Sequence, residues 1–460
     1  MKFAVLPITA AALLLSACGQ SGLPLYGPAL PIASSPHRIE GARLIGYGPS
    51  RGKIKHIVIL VQENRSLNDL FYGFPHARTV SYGYDSKDNK IELRPLSLAT
   101  WWDIDHSASS FIRACDGSGS IPGTNCRMNG FDLEPVGCGM GHPSCPFTDP
   151  QYSFVPHSET KPYFDIASQY VLADEMYASN FDASSFVSHQ YIIAGQAQSS
   201  INYPVSLWGC PGGPGDTIGT VGQQRQFPTG YETVCWDPTT LGDELDKARV
   251  SWAFYTATIK GDEGIWSAYQ AINHIYNGPD WSKDVLTPQT QFFDDVSNGK
   301  LRSVSWITPT WENSDHAGNK STTGPSWVAS VVNAIGQSKY WNSTALFIFW
   351  DDYGGWYDPK PPAYVDYDGL GVRIPMLIVS AYAKKGGVSH VHYEHGSILK
   401  FVEDTFGLAQ QAPSDTRANS PARDAFNFKD PPRPFVRINS PYGEGYFKRQ
   451  PTDHRVPDAE

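Results

Sequence analysis

Short apolar segments recur along the chain and alternate with stretches in which apolar residues have helical spacing. Residues 57–61 are all aliphatic, which is typical of a strand buried on both faces of a parallel sheet. Strands that alternate with helices predict a three-layer α/β/α sandwich with a mostly parallel central sheet. We expect strands at 54–61, 250–255, 304–307, 345–350 and 374–380. We expect helices at 163–171, 185–195, 265–276, 326–335 and 395–406, and a short one at 244–249 behind a capping box at 240–243.

The first residues have the composition of a secretory signal peptide. A single Lys at position 2 precedes an apolar run at 3–15, which is too short to cross a bilayer as a helix. The run ends in Leu-Ser-Ala-Cys, which is similar to a bacterial lipobox. This predicts a signal peptide at 1–17 and lipid attachment at Cys18, with ordinary cleavage after Ala17 as the alternative. We therefore expect an exported protein, periplasmic or on the cell surface, that meets the membrane by its N-terminal lipid anchor only.

Composition divides the rest of the chain into a tether, one large domain and a tail. Residues 18–50 are rich in Gly, Pro and Ser, and residues 411–460 in Pro, Asp, Asn and Arg. We interpret the first as a lipoprotein tether, 51–410 as a single α/β domain, and the second as a tail that wraps the outside. The stretch 85–160 contains four cysteines and little periodicity, which predicts a disulfide-tied insertion.

Six cysteines remain once Cys18 is set aside. An even number in an exported protein favours three disulfides. Nearest-neighbour pairing closes the shortest loops, although it is only one of 15 connectivities. A zinc site is the weaker alternative, because no two of these cysteines form a tight C-x-x-C pair. The pairs expected from loop length are 115–126, 138–145 and 210–235.

The charge balance restricts the partners. The chain has 36 Lys and Arg against 46 Asp and Glu, a net charge of −10, which disfavours binding to nucleic acid and gives no general attraction to anionic lipid. With 40% hydrophobic residues and 13 Trp, the chain can bury a large core, so disorder is excluded for most of it.

Polar clusters follow several predicted strands at the end where α/β proteins place their functional groups. Glu63-Asn64 follows the first strand, and Asp351-Asp352 follows the strand at 345–350. Adjacent buried carboxylates are costly unless a cation lies between them. Three carboxylates and an amide oxygen suit one Ca²⁺, Mg²⁺ or Mn²⁺ ion. The alternatives are an Asx turn at Asp351-Asp352 and a surface ion pair between Glu63 and Arg65.

Serine and histidine side chains could complete such a site. Ser184 or Ser185 would open the helix at 185–195, where free N–H groups and the helix dipole favour an anion; a plain N-cap is the alternative. His106 and His316 each follow a carboxylate, which favours the charged form that holds phosphate or protonates a leaving group. Ordinary loop ion pairs would explain both. His395, before the last helix, and Asp315 are weaker candidates.

Taken together, these segments resemble a bacterial phosphoesterase family that contains phospholipases C and exported acid phosphatases, within the alkaline-phosphatase-like superfamily. The resemblance covers about residues 56–408. It implies that Glu63, Asn64, Asp351 and Asp352 bind one divalent metal ion, that Ser185 is the nucleophile, and that His106 and His316 bind phosphate or donate a proton. The matching segments are Gln62–Ser66, Asp105–Ser107, Met128–Phe131, Ser185–Gly195, Asp315–His316, Trp350–Asp358, Ser397–Leu399 and Phe401–Glu403.

Some positions depart from the pattern of the phospholipases C. Val187-Ser188-His189 stands where many of them have Pro-Asn-Arg, Asp352 stands where Glu is frequent, Pro359 where His is common, and Asn129 replaces a usual Asp. The Ser-His-Gln-Tyr stretch is closer to the acid phosphatases. The resemblance therefore implies a metal-dependent, acid-phosphatase-type phosphomonoesterase that acts on small phosphate esters through a phosphoserine. A phospholipase C that cleaves phospholipid head groups and an inactive surface-binding lipoprotein on the same fold are the alternatives.

Overall fold

The computed structural model describes residues 48–50, 52–139 and 143–458. The expected signal peptide, Cys18 and nearly all of the tether lie outside the described residues. No helix of the described residues is long and apolar enough to cross a membrane.

Strands and helices alternate along the described chain. The strands, in chain order, are β1 (His56–Gln62), β2 (Tyr82–Tyr84), β3 (Lys90–Glu92), β4 (Arg94–Pro95), β5 (Ser153–Phe154), β6 (Val171–Tyr177), β7 (Ser200–Ile201), β8 (Thr217–Thr220), β9 (Tyr231–Thr233), β10 (Trp252–Tyr255), β11 (Val285–Leu286), β12 (Val304–Ile307), β13 (Thr344–Trp350), β14 (Arg373–Ser380), β15 (Gly387–Ser389) and β16 (Tyr393–Glu394). The α-helices are α1 (Leu67–Phe71), α2 (Ala108–Cys115), α3 (His157–Gln169), α4 (Ser185–Ala194), α5 (Leu241–Ala248), α6 (Asn273–Tyr276), α7 (Pro279–Asp284), α8 (Gln291–Ser297), α9 (Gly324–Gly336), α10 (His395–Phe406), α11 (Pro413–Arg417) and α12 (Glu444–Phe447).

Nine strands form one central sheet. Eight follow the order β11-β10-β12-β1-β13-β14-β6-β15, and β16 also pairs with β6. All pairings are parallel except those of β14, which runs antiparallel to both β13 and β6. Every residue of β10, β12, β13 and β14 is buried, because helices cover both faces. The predicted sandwich with a mostly parallel sheet is confirmed.

Two groups of helices form the outer layers. Helix α9 packs with α3, α8 and α12, whereas α10 packs with α4 and α11. Helix α4 ends at Gly195, whose φ of 65° is the left-handed conformation that commonly closes a helix. The predicted capping box of α5 is present, with Thr240 and Asp243 bonded to each other's backbone.

Two predicted elements differ from the structure. The helix expected at 163–171 starts earlier, at His157, and Val171 begins the strand β6, which the prediction missed. Asp174 and Glu175 break the apolar pattern of β6, yet both are buried because His390 and Arg78 pair with them. The helix expected at 265–276 is reduced to a 3₁₀ turn at Ala268–Ala271 followed by the short helix α6.

The cysteines form disulfides between Cys115 and Cys126, Cys138 and Cys145, and Cys210 and Cys235. This is the nearest-neighbour pattern, and it leaves none of the six for zinc. The stretch 85–160 contains helix α2 and the short strands β3, β4 and β5.

The tail does more than wrap the surface. Its Phe426, Ile438 and Phe447 are buried in the main hydrophobic core. The main-chain carbonyl of Ile438 accepts a hydrogen bond from the side-chain amide of Asn333 on α9, and its N–H donates one to the same amide. The tail is therefore part of the core, and its last described residues reach the sheet edge where the candidate site lies.

Candidate active site

The register of the sheet brings the two predicted acidic clusters together. Gln62 and Trp350 are paired as the last residues of the neighbouring parallel strands β1 and β13. The next two residues of each strand, Glu63-Asn64 and Asp351-Asp352, therefore leave the sheet side by side. All four are fully buried, which argues against a surface ion pair for Glu63.

The main chain at this edge is held in an unusual conformation. Asn64 has a φ of 54°, a left-handed conformation that often occurs at functional sites. Gly354 has a φ of 59°, and a Cβ there would lie 2.4 Å from the carbonyl oxygen of Asn64. Only glycine permits the loop after Asp352 to approach Asn64 this closely.

Oxygen atoms converge around the side chain of Asn64. Its Oδ1 lies 3.1 Å from Oε2 of Glu63 and 3.2 Å from Oδ1 of Asp351, and 3.4 Å from Oγ of Ser185. Hydrogen bonding alone would favour the reversed amide, with its nitrogen toward the carboxylates. In either orientation one polar atom of the Asn64 amide lies beside both carboxylates, and a cation among these oxygens would favour the one with Oδ1 toward them.

The electrostatics of the acidic residues lead to the same conclusion. Burial, reinforced by the charge of Asp351, raises the pKa of both Glu63 and Asp352 well above the usual values. The Oδ2 atoms of Asp351 and Asp352 are buried without a hydrogen-bond partner among the described residues. Such a set is costly unless protonated or bound to a cation, so the residues present fit a divalent metal ion.

Helix α4 places Ser185 beside this oxygen cluster. The hydroxyl of Ser184 bonds to Asp182 and to the carbonyl of Asn202, and neither serine caps the helix with its side chain. The N–H of Ser185 donates to the hydroxyl of Tyr203 at 2.9 Å. The Ser185 hydroxyl is thus directed toward Asn64 and does not serve as an N-cap.

His189 is a member of the site that sequence reasoning missed. Its Nε2 lies 3.1 Å from Oε1 of Glu63 and 3.7 Å from Oδ2 of Asp351, and ligand atoms of these three residues lie within 4.8 Å of one another. Burial lowers the pKa of His189 to about 4, so its imidazole is neutral and able to bind a metal. The signal was available, since His189 follows Ser185 by four residues and so shares its helix face.

His106 and His316 lie on the other side of Asn64. The Nδ1 of each is 2.6 Å from a backbone carbonyl, of Ile104 and Ala317 respectively, so each Nδ1 carries a proton. The Nε2 atoms approach Asn64 Nδ2 at 2.9 Å and 3.2 Å. The structure therefore brings both predicted histidines to the predicted acidic cluster.

The electrostatic surroundings of His316 include Asp458, a residue that sequence analysis did not select. Burial opposes its charge, but the carboxylates of Asp103 and Asp458 raise the pKa of His316 to about 10. Asp458 Oδ2 lies 3.2 Å from His316 Nε2. No local signal in the tail indicates this contact.

Of the two weaker candidates, Asp315 makes structural contacts, whereas His395 lies within electrostatic range of Asp351 and His189. Asp315 accepts hydrogen bonds from Tyr163 at 2.7 Å and from the indole of Trp350 at 3.0 Å, so its carboxylate connects α3 to β13. His395 is fully buried at the start of α10, where Nδ1 lies 3.4 Å from the N–H of Ser179. Burial lowers the pKa of His395 to about 3, so its ring is neutral.

The fold and the site together define an α/β protein with a cluster of buried carboxylates and a serine at the carboxyl edge of its sheet. The chain belongs to the phosphoesterase family, whose model matches residues 147–409.

Several relatives are named as phospholipases C. The chain is 22% identical to a non-hemolytic phospholipase C of Burkholderia pseudomallei over 88% of its own length and 64% of that protein. It is 23% identical to the non-specific phospholipase C1 of Arabidopsis thaliana, covering 82% of this chain and 69% of that one. It is 23% identical to the hemolytic phospholipase C of Pseudomonas aeruginosa, and the match covers 79% of this chain and 54% of that protein. The chain thus spans about half to two thirds of the length of these relatives.

The solved structures that match this chain are more distant in sequence. One is a protein in the alkaline phosphatase superfamily from Vibrio parahaemolyticus, with a TM-score of 0.37 and 11% identity over 81% of this chain and 72% of that one. Another is a lipoteichoic acid synthase from Listeria monocytogenes, with a TM-score of 0.37 and 8% identity. That match covers 81% of this chain and 76% of the synthase.

Proposed function

We propose that this protein is a hydrolase of phosphoric esters, an acid-phosphatase-type phosphomonoesterase that acts through a phosphoserine. The observation that supports this proposal most is the position of Ser185 Oγ, 3.4 Å from Asn64 Oδ1 at the edge of the oxygen cluster. A nucleophile beside a cation site is the arrangement that in-line attack on phosphorus requires.

The residues around Ser185 have distinct roles in this proposal. A divalent ion, with Ca²⁺, Mg²⁺ and Mn²⁺ as candidates, would be held by oxygens of Glu63, Asn64, Asp351 and Asp352, with His189 beside them. Such an ion supplies Lewis-acid stabilisation and lowers the pKa of a nearby hydroxyl.

In the first step the hydroxyl of Ser185 loses its proton to solvent, its oxygen forms a bond to phosphorus and the ester P–O bond breaks. His106 protonates the departing alkoxide, and the charged His316 holds an oxygen of the phosphoryl group. Water then attacks the phosphoserine, which releases phosphate and restores the hydroxyl. The buried surroundings strengthen each of these charge interactions.

Phospholipase C activity is the second candidate, and the names of the relatives favour it. His189 lies against Glu63 where many phospholipases C have Arg, and this difference favours the monoesterase. The two activities share Ser185 but differ in the leaving group, which is a small alcohol in one and diacylglycerol in the other.

A substrate panel tests the proposal. The purified protein is assayed with an aryl phosphate monoester, an aryl phosphodiester and choline phospholipid vesicles, with Ca²⁺, Mg²⁺ or Mn²⁺ added in turn. We expect the highest kcat/KM for the monoester. If phosphocholine is released faster than the monoester is hydrolysed, the phospholipase C proposal replaces the monoesterase proposal. If no substrate is turned over, both proposals are refuted.

We further propose that the protein is exported and anchored at the membrane through Cys18. The support is the sequence Leu-Ser-Ala-Cys after the apolar run. Cys18→Ser should move the protein from the membrane fraction to the soluble exported fraction. Unchanged membrane association of that variant would refute the lipid anchor.

A further inference from the structure

The last described segment of the chain, residues 453–458, reaches into the candidate active site. The N–H of Trp311 donates to the side chain of Asp453 at 2.7 Å. His454 pairs with Glu263 at 2.8 Å, and the guanidinium of Arg455 stacks over the ring of Trp311 at 4.7 Å. These contacts anchor a segment without regular secondary structure, and Asp458 is its buried inner end.

Three ring N–H groups surround Asp458. Its Oδ2 lies 3.2 Å from Nε2 of His316 and 3.4 Å from Nε1 of Trp266, and its carbonyl oxygen accepts from Nε1 of Trp208 at 2.5 Å. Two of these donors face the carboxylate and the third binds the main-chain carbonyl of the same residue. Ring N–H groups of this kind also bind anionic oxygens.

The Asp458 carboxylate competes with substrate for one donor. His316 Nδ1 is committed to the carbonyl of Ala317, so Nε2 is the atom with which His316 can hold a phosphoryl oxygen. In the structure the carboxylate of Asp458 already pairs with His316 Nε2. The charge of Asp458 also acts on Glu63, Asp352 and Tyr203, so it lies within electrostatic range of the acidic cluster.

We propose that His316, Trp266 and Trp208 form an oxyanion subsite for the substrate phosphate, and that Asp458 is its internal occupant, displaced when substrate binds. The proposal rests on the proposed function, because it names the groups that receive the phosphoryl oxygens. A phosphate dianion that enters this subsite must move the segment 453–458 or be repelled by the carboxylate.

A cavity lies beside the segment 453–458. Trp101, Trp102 and Trp311 line a cavity of about 640 Å³ together with Val456, Pro457 and Asp458. Val456 is 54% exposed, whereas Pro457 and Asp458 are buried, so withdrawal of the segment uncovers one apolar ring and one carboxylate.

The test compares Asp458→Asn with Glu444→Gln, a control that removes an exposed carboxylate from the same tail. Binding of inorganic phosphate is measured by calorimetry, and KM and kcat with the aryl phosphate monoester. Removal of a like charge should tighten phosphate binding at least about tenfold and lower KM, without loss of kcat. Glu444→Gln should behave as wild type.

Three outcomes would overturn the proposal. Unchanged phosphate affinity in Asp458→Asn would show that the carboxylate does not compete. A lower kcat at unchanged KM would make Asp458 a positioning residue for His316, and loss of bound metal would make it a ligand. If Asp458→Asn does not fold, Asp453→Ala replaces it in the test. This variant removes the hydrogen bond from Trp311 that anchors the segment, so it should also tighten phosphate binding.

The same measurements separate the two proposals. Suppose that the wild-type enzyme hydrolyses the monoester but Asp458→Asn binds phosphate no more tightly than wild type. This result refutes only the proposal that Asp458 occupies the subsite. A wild-type protein that neither binds phosphate nor hydrolyses any ester removes both.

Discussion

The N–H of Asn64 donates to Oδ1 of Asp351 at 3.1 Å, across 287 positions of sequence. This bond fixes the relative positions of the two polar pairs that follow β1 and β13. It also turns the side chain of Asn64 toward Ser185. The candidate site is therefore a product of strand register, and substitutions in it should affect chemistry more than folding.

Replacement of the proposed nucleophile should abolish turnover. Ser185→Ala removes the attacking oxygen but no cap or core contact, so we expect a loss of at least about 10³ in kcat with an unchanged Tm. Ser188→Ala is the matched control, because its hydroxyl on the same helix bonds to Asn180. A Ser185→Ala enzyme with wild-type kcat would remove the assignment.

Asp351→Asn should lose bound metal and activity together. The change keeps the shape of the side chain but removes one charge from a buried set of oxygens. Metal content is measured by mass spectrometry after dialysis, and Tm is measured with and without added ion. The exposed Asp262→Asn should retain both metal and activity. Equal metal content in Asp351→Asn and wild type would contradict the proposed ligand set.

His189→Gln distinguishes a nitrogen ligand from a neighbour of the metal. If the imidazole binds the ion, affinity for Mn²⁺ should fall about 10- to 100-fold, and affinity for Ca²⁺ should fall less, since Ca²⁺ prefers oxygen. Calorimetric titration of each ion measures this difference. His274→Gln, on the surface, is the control. Equal losses for the two ions would place His189 outside the coordination shell.

Glu403 makes stability depend on pH. Burial, together with a hydrogen bond to Asp415, raises the pKa of Glu403 to about 10. A raised folded-state pKa gives stability that is fully present below the ordinary value near 4.5 and is lost as the pH rises toward about 10. Glu403→Gln mimics the protonated form.

The free energy of unfolding of Glu403→Gln should therefore match that of wild type near pH 4 and exceed it at pH 8 by at least about 1.4 kcal/mol, the value of one pKa unit. Urea titrations at several pH values measure the difference. The exposed Glu92→Gln should show no such trend. A constant difference at all pH values would mean that Glu403 does not share a proton with Asp415.

Local sequence pattern predicted the sheet and the strand-end residues because aliphatic runs and parallel strand ends are properties of single segments. It missed β6, since Asp174 and Glu175 are buried only through partners remote in sequence, Arg78 and His390. Helical spacing from Ser185 would have identified His189.

The contact of Asp458 with His316 is of a different kind. It depends on the path of a tail without regular structure between α12 and residue 458. No periodicity or propensity encodes such a path, so only the folded structure shows it.

The pairing of β1 with β12 and β13 has a consequence for synthesis of the protein. The proposed ligands at positions 63 and 64 emerge early, but the strands that pair with β1 begin only at Val304 and Thr344. A ribosome must therefore translate most of the message before the two acidic pairs can meet. A nascent chain that has not yet reached β13 lacks Asp351 and Asp352, so it carries only half of the proposed metal site.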